Sequence, residues 1–209
     1  MRLLERPIST AKLVGGQLCL DFVNTCEGRA EDGCVIADRL LEFTDLAAWA
    51  YRAALETGPA AQRMAAEAAN DPAAAYRIWE RAVNLREASF RLLRGLLRHN
   101  PSTAADVAIL NREWSEALRH RMLVPGTPCL HLKWTGETLD RTLWAVAESA
   151  VQLLASPGSA ERLKECGGVD CGWLFEDCSR NGSRQWCDMK MCGTIAKVRR
   201  FRKRQAEDN

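Results

Sequence analysis

Four cysteines near the end of this 209-residue chain have the residue type and spacing of a metal site. Four residues separate Cys166 from Cys171, four separate Cys187 from Cys192, and fifteen lie between the two pairs. Cysteine pairs joined by a loop of this length close a tetrahedral zinc site, each pair forming a tight turn that aims two thiolates at the ion. Glycines beside both pairs, Gly168 and Gly193, suit such turns. Four thiolates leave no open coordination position, so the expected cofactor is one structural Zn2+. An iron–sulfur cluster and a pair of disulfides are the chemical alternatives. The segment's apolar residues (Val169, Trp173, Leu174, Phe175, Trp186, Met191) are few, and metal binding in finger peptides contributes roughly 10–16 kcal/mol. Cys178 falls outside both pairs and reads as a free or partly buried thiol. His99, His120 and His131 are distant in sequence and read as surface or core side chains.

The chain around and beyond the second cysteine pair is strongly basic. Between Ser179 and Gln205 stand Arg180, Arg184, Lys190, Lys197, Arg199, Arg200, Arg202, Lys203 and Arg204 against one acid, Asp188. That segment carries +8 in a chain of net +2, which leaves −6 for the rest. A mildly acidic body with a basic tail favours a polyanionic partner. Residues 194–205 are expected to be helical, with Ile195, Val198 and Phe201 recurring every three positions. This stripe is expected to dock on the aromatics of the zinc module, leaving the cations outward. A metal-anchored basic helix is how many small modules meet phosphates, and Arg180, Arg184 and Trp186 extend that surface.

The elements that must position these residues are mainly helical. The body is rich in alanine and leucine and poor in β-branched residues. Thr44 is the expected cap of a helix through Leu46, Trp49 and Ala53, and Asp71-Pro72 opens a long helix through Ile78, Leu85 and Leu97. Asn100-Pro101 ends it, and Ser102 is the expected cap of the next, through Leu110, Trp114 and Leu118. Residues 139–154 form the last helix of the body. The alternation in Cys129-Leu-His-Leu-Lys-Trp134 predicts a strand, with the chain near 13–20 as its suggested partner. Residues 17–25 mix both periods and suit a short strand running into a helix. The alanine-rich stretch at 60–75 is a low-complexity tract, and Ser156-Pro-Gly-Ser159 marks a domain boundary. The expected organisation is a helical bundle with a small β element over 1–157, then a four-cysteine zinc module ending in a basic helix over 158–209.

The run from Cys166-Gly-Gly-Val-Asp-Cys171 through Ser179-Arg-Asn-Gly-Ser-Arg-Gln-Trp-Cys187 to Cys192-Gly resembles the CGNR zinc-finger proteins. Gly15-Gly-Gln-Leu-Cys-Leu-Asp-Phe-Val-Asn-Thr25 is similar to the opening of their companion ABATE domain. The resemblance implies a bacterial, mainly helical body joined to a zinc module, in a stress-linked transcription regulator. The family's Cys-Gly-Asn-Arg signature reads Cys192-Gly193-Thr194-Ile195 here. If the signature arginine contacts phosphate, its replacement by Ile195 alters nucleic-acid binding; the docking stripe offers a second account of that isoleucine.

Other classes are less well supported. No phosphate loop, nucleophile elbow, His-x-x-x-His pair or acid–base dyad is present, so an enzyme is not expected. Met1-Arg-Leu-Leu-Glu-Arg-Pro7 lacks the apolar core of a signal peptide, and no run approaches a membrane span. Nine cysteines, several scattered singly, point to a reducing cytoplasm and not to a disulfide framework. The expected partner is duplex DNA, with an RNA or protein partner as the alternative. The body would sense a small molecule or mediate homodimerisation. Asp21, Asn24 and Thr25, polar residues in an apolar run, are candidate ligand contacts; capping by Asp21 and backbone hydrogen bonds from Asn24 are the structural alternative. Trp49, Trp79, Trp114 and Trp144 fall at helical positions and read as core.

Overall fold

The structure is a computed structural model that describes residues 3–100 and 102–207. The readings at Met1, Arg2 and Pro101 lie outside the described residues. Helical periodicity accounts for most of the body. Around the short helix α1 (Leu18–Val23) pack α2 (Phe43–Arg52), α4 (Pro72–Leu97) and α6 (Arg141–Ala155), with α3 (Gly58–Asn70) and α5 (Ala104–Arg119) completing the bundle. Leu20, Phe22, Leu46, Trp49, Leu85, Leu93 and Leu143 form the centre of one core, and each such side chain contributes roughly 1.5–3 kcal/mol by leaving water. Trp144 is also buried, while Trp79 and Trp114 pack on the core's edge. The alanine-rich tract is the regular helix α3, whose Ala60, Ala61, Met64 and Ala68 are buried. No helix among the described residues is long and apolar enough to cross a membrane.

The helix starts follow local chemistry, in two cases from a residue other than the expected one. Asp71 caps α4, its carboxylate accepting the Ala74 N–H at 2.9 Å, with Pro72 in the first turn. Thr103, and not Ser102, caps α5 by accepting the Asp106 N–H at 3.1 Å. Glu42, and not Thr44, holds the cap position of α2, because Asp45 takes the N–H groups of Leu41 and Glu42 while the Thr44 hydroxyl donates to Glu42.

The β elements depart further from expectation. The order over 17–29 is helix then strand: α1 is followed by β1 (Cys26–Arg29), which pairs antiparallel with β2 (Val35–Asp38). In α1 Cys19, Leu20, Phe22 and Val23 are all buried, so hardly any polar face marks the helical period. Strand β4 (His131–Trp134) lies where alternation predicts one, but its partner is β3 (Arg121–Val124), with Leu123 opposite Leu132. The turn-rich stretch between them folds the chain back locally, so residues 13–20 are not needed as a partner.

The C-terminal module is continuous with the body. After α7 (Ser159–Arg162), strands β5 (Leu163–Glu165) and β6 (Leu174–Glu176) pair antiparallel, and the last element among the described residues is α8 (Thr194–Glu207). Leu163 and Leu174 belong to the body's core, while Cys26 of β1 packs among Cys166, Cys171, Trp173, Phe175 and Cys187.

Candidate metal centre

The first cysteine pair sits at the closed end of the β5–β6 hairpin. Cys166 extends the ladder by donating its N–H to Trp173 O at 2.8 Å, and the loop then turns through Asp170 and Gly172, both in the left-handed region. Gly172 has a second reason to lack a side chain, since a Cβ there would meet Arg29 Cβ at 2.8 Å. At Gly168 a Cβ would stand 2.9 Å from Cys192 Sγ, so the first turn lies directly against the last ligand. The second pair is set by Asp188, whose carboxylate accepts the N–H groups of Lys190 and Met191 and also the Lys12 ammonium. These bonds shape a π-helical turn over Met189–Gly193 that carries Cys192 and runs straight into α8.

The four sulfurs converge. Cys171 Sγ is 3.6 Å from Cys187 Sγ, which is 3.7 Å from Cys192 Sγ, and all four lie within 4.8 Å of one another. A tetrahedron with Zn–S bonds of about 2.3 Å has edges of about 3.8 Å, so the spacing fits one zinc ion. The backbone N–H groups of Cys187 and Gly168 also point at Cys166 Sγ, at 3.2 and 3.4 Å, as donors to a thiolate. Protonation follows the same logic. Hydrogen bonds from the Cys171 and Cys187 thiols push the Cys166 thiol down, and the same contacts to Cys166 push Cys171 and Cys187 up, while burial raises Cys192. A divalent cation among them stabilises all four as thiolates.

Two family models match the chain. One, described as CGNR zinc finger, covers residues 162–205; the other, ABATE, described as "Putative stress-induced transcription regulator", covers residues 16–157, more than half the chain. The chain belongs to the ABATE family. No curated protein matches it. In this ABATE chain Cys166, Cys171, Cys187 and Cys192 hold one structural zinc in a C-terminal CGNR zinc finger.

Several residues lock the finger to the ABATE body. The Asn24 amide bonds both backbone groups of Leu174, at 2.8 and 3.0 Å, which is its backbone-bonding alternative realised. Trp173 Nε1 donates to Cys26 O, Arg29 N–H to Cys171 O, and Glu176 N–H to Gly15 O. Asp21 accepts the Gly15 N–H, and the Thr25 hydroxyl donates to Phe22 O, so Asp21, Asn24 and Thr25 are each engaged in holding the fold. Two apolar clefts of the body lie elsewhere, one of about 370 Å³ lined by Phe43, Ala68, Ala75, Tyr76 and Trp79 and one of about 410 Å³ lined by Leu92, Val107, Leu110 and Leu154.

The basic residues separate into two groups. Lys197, Arg199, Arg200, Arg202, Lys203 and Arg204 are all exposed along α8, and Arg180 is exposed in the loop. Arg184 turns inward: its guanidinium stacks 4.3 Å from the Phe175 ring centre and donates to the carbonyls of Val14, Glu176, Trp186 and Cys187. It is a clamp within the finger and offers no free fork to a phosphate. Trp186 packs half-buried on the zinc cluster.

The docking of Ile195, Val198 and Phe201 is overturned. They are 56%, 43% and 62% exposed, and the α8 residues lining the cleft against Leu97 and Trp186 are Ala196 and Arg200. Metal ligation explains the rotation. Cys192 must face the ion, and at about 100° per residue Ala196 lies roughly 40° from it and Phe201 about 180° away. Ile195 in the altered signature lies only about 60° from Cys192 by this phase, and its 56% exposure is what places it in solvent.

Thiol reactivity will report the same partition. Cys34, Cys129 and Cys178 are exposed, Cys19 and Cys26 are buried, and burial pushes the Cys19 thiol up to about 11. Treating the native zinc-loaded protein with N-ethylmaleimide should add three adducts by intact mass, and denaturation with a chelator should raise this to nine. Adducts on the quartet in the native protein would contradict the closed site.

Proposed function

We propose that this chain is a non-enzymatic transcription regulator that binds duplex DNA through the zinc-anchored helix α8. The carrying observation is a contrast in charge pairing. Body arginines such as Arg81, Arg86, Arg91 and Arg141 are matched to Glu113, Asp38, Asp106 and Glu56. Along α8, by contrast, Lys197, Arg199, Arg200, Arg202 and Arg204 are exposed and form no ion pair among the described residues. The helix starts within the same continuous turn as the last zinc ligand, so these charges are an oriented patch. Unmatched cations on a rigid mount are what a phosphate backbone selects.

The reading is tested with a labelled duplex of about 25 base pairs and the zinc-loaded protein. If about five cations neutralise phosphates, log affinity will fall with log salt at a slope of roughly −4 to −5. Replacing Arg199, Arg200, Arg202 and Arg204 by alanine should abolish binding and leave one zinc per chain. Absence of duplex binding at low salt, or tighter binding to single-stranded RNA, would overturn it.

A further inference from the structure

We propose that Ile195, Val198 and Phe201 form the base-reading stripe of α8, and that the DNA this protein selects presents thymine methyl groups in the major groove. The inference rests on the DNA-binding reading and adds which face enters the groove and what it recognises. Three observations carry it. The stripe is exposed along its whole length and does not line the cleft between α8 and the finger, so packing gives no reason for three large apolar side chains at these positions. Cations flank it on both sides. With Val198 at the centre, Ile195 and Phe201 lie about 60° to either side, Lys197 and Arg204 roughly 100–120° round one flank, and Arg202 and Arg199 about 40° and 100° round the other. Finally, residues 194–206 contain no acid, so nothing in the helix repels a groove lined by phosphates.

That layout matches a major groove in size and chemistry. A helix with its side chains is about 10–12 Å across and the groove about 12 Å wide. With the apolar arc on the groove floor, the two cationic flanks face the two phosphate strands that bound it. Phosphate contacts position the helix and carry no sequence information; the floor contacts do. The apolar group on that floor is the C5 methyl of thymine, which Ile, Val and Phe side chains meet by dispersion and dehydration. A bilayer surface also attracts basic amphipathic helices, but this arc holds three apolar side chains with Arg202 inside it, narrow for burial in lipid.

The experiment compares the zinc-loaded full chain on an alternating A·T duplex of about 24 base pairs and on the same duplex with deoxyuridine for every thymidine. The exchange deletes the methyl and keeps the hydrogen-bonding edges. Binding should weaken roughly fourfold for each methyl buried, with the salt slope unchanged. The pair Val198→Ala and Phe201→Gln, which leaves only Ile195 of the stripe, should bring the ratio of the two affinities most of the way to one and preserve slope and zinc content. A ratio arising from duplex shape would survive that pair, which would overturn the assignment. Arg199→Ala with Arg202→Ala should weaken both duplexes and flatten the slope by about 2 while the ratio persists. Equal affinity of the native chain for both duplexes with a steep slope overturns the stripe and leaves DNA binding standing; no duplex binding at all overturns both. Binding to phosphatidylserine vesicles that the Val198/Phe201 pair abolishes, with the duplex ratio at one, would assign the stripe to a membrane surface and overturn it as a base reader.

Discussion

Stripping the zinc will unfold the C-terminal finger and take part of the body's stability with it. The finger's own means are small: two three-residue strands and a cluster built from Cys26, Cys166, Cys171, Trp173, Phe175 and Cys187, four of whose members are quartet cysteines or the β1 cysteine beside them. Against this, metal ligation in finger peptides contributes roughly 10–16 kcal/mol, comparable with the about 5–15 kcal/mol that separates a whole domain from its unfolded state. The loss spreads because the finger is not a separate bead. Leu163 and Leu174 complete the body's core, and the buried Asn24 amide has Leu174 as partner for both its donor and its acceptor. Releasing β6 strands both polar groups, at about 1–3 kcal/mol each. With roughly 2–4 °C per kcal/mol in a chain of this size, chelation or Cys187→Ser should lower Tm by about 10–20 °C. Circular dichroism melts paired with metal analysis check it. Superimposable melts of zinc-loaded and zinc-free protein would refute the structural role.

The same coupling explains what the amino-acid sequence discloses and what it hides. The quartet is legible because zinc chemistry demands its spacing, and α4 because Asp71-Pro72 is a local start signal followed by a long apolar period. Asn24 is ambiguous because a polar residue in an apolar run looks alike whether it meets a ligand or a strand 150 residues away. Arg184 misleads for a related reason: charge counts do not reveal that four carbonyls converge on one guanidinium. The hairpin over residues 26–38 escapes a pattern reading because β1 and β2 are short and irregular in register, and β1 is held partly by Cys171 across the module boundary. The phase of α8, however, is present in the sequence. Cys192 and Ala196 are spaced by four, so a ligand at the first position commits the second to the inner face. The periodicity of Ile195, Val198 and Phe201 defines a stripe but not its direction; its phase relative to the metal ligand does, turning Val198 and Phe201 away from the ion and leaving Ile195 at the margin.

Substituting Glu87 by alanine should destabilise the protein by about 3 kcal/mol and loosen the zinc site from a distance. Glu87 is the shared anion of two buried cations: its carboxylate accepts two bonds from Arg29, at 2.7 and 3.0 Å, and one from Arg86 Nε at 2.8 Å. The Arg29 side chain is fully buried and lies 3.7 Å over the Phe90 ring, with its remaining bonds to the carbonyls of Val23 and Gly33. Removing one partner of such a pair costs about 3–5 kcal/mol because the other charge stays buried; the lower end applies here, since Glu87 keeps a quarter of its side chain exposed and Arg86 retains Asp38. Acid should act in the same direction. Burial pushes the Glu87 and Asp38 carboxyls up, but Arg29 and Arg86 outweigh it and hold both below their ordinary values of 4.5 and 3.8. Depressed folded-state values mean stability that is fully present above the unfolded values and is lost as pH falls below about 4.5 and through the folded ones. Glu87→Gln should therefore lower stability at neutral pH and flatten its fall in acid, measured by urea denaturation across about pH 3–7. The zinc enters through Arg29, whose backbone N–H holds Cys171 O while Gly172 packs on its Cβ. Freed of Glu87, Arg29 no longer fixes that turn, and zinc transfer to a chelator should be faster in Glu87→Ala than in an exposed control such as Glu67→Ala. Equal transfer rates in the two variants would show that the knuckle holds its geometry without the body, and the coupling argued from Arg29 would fall.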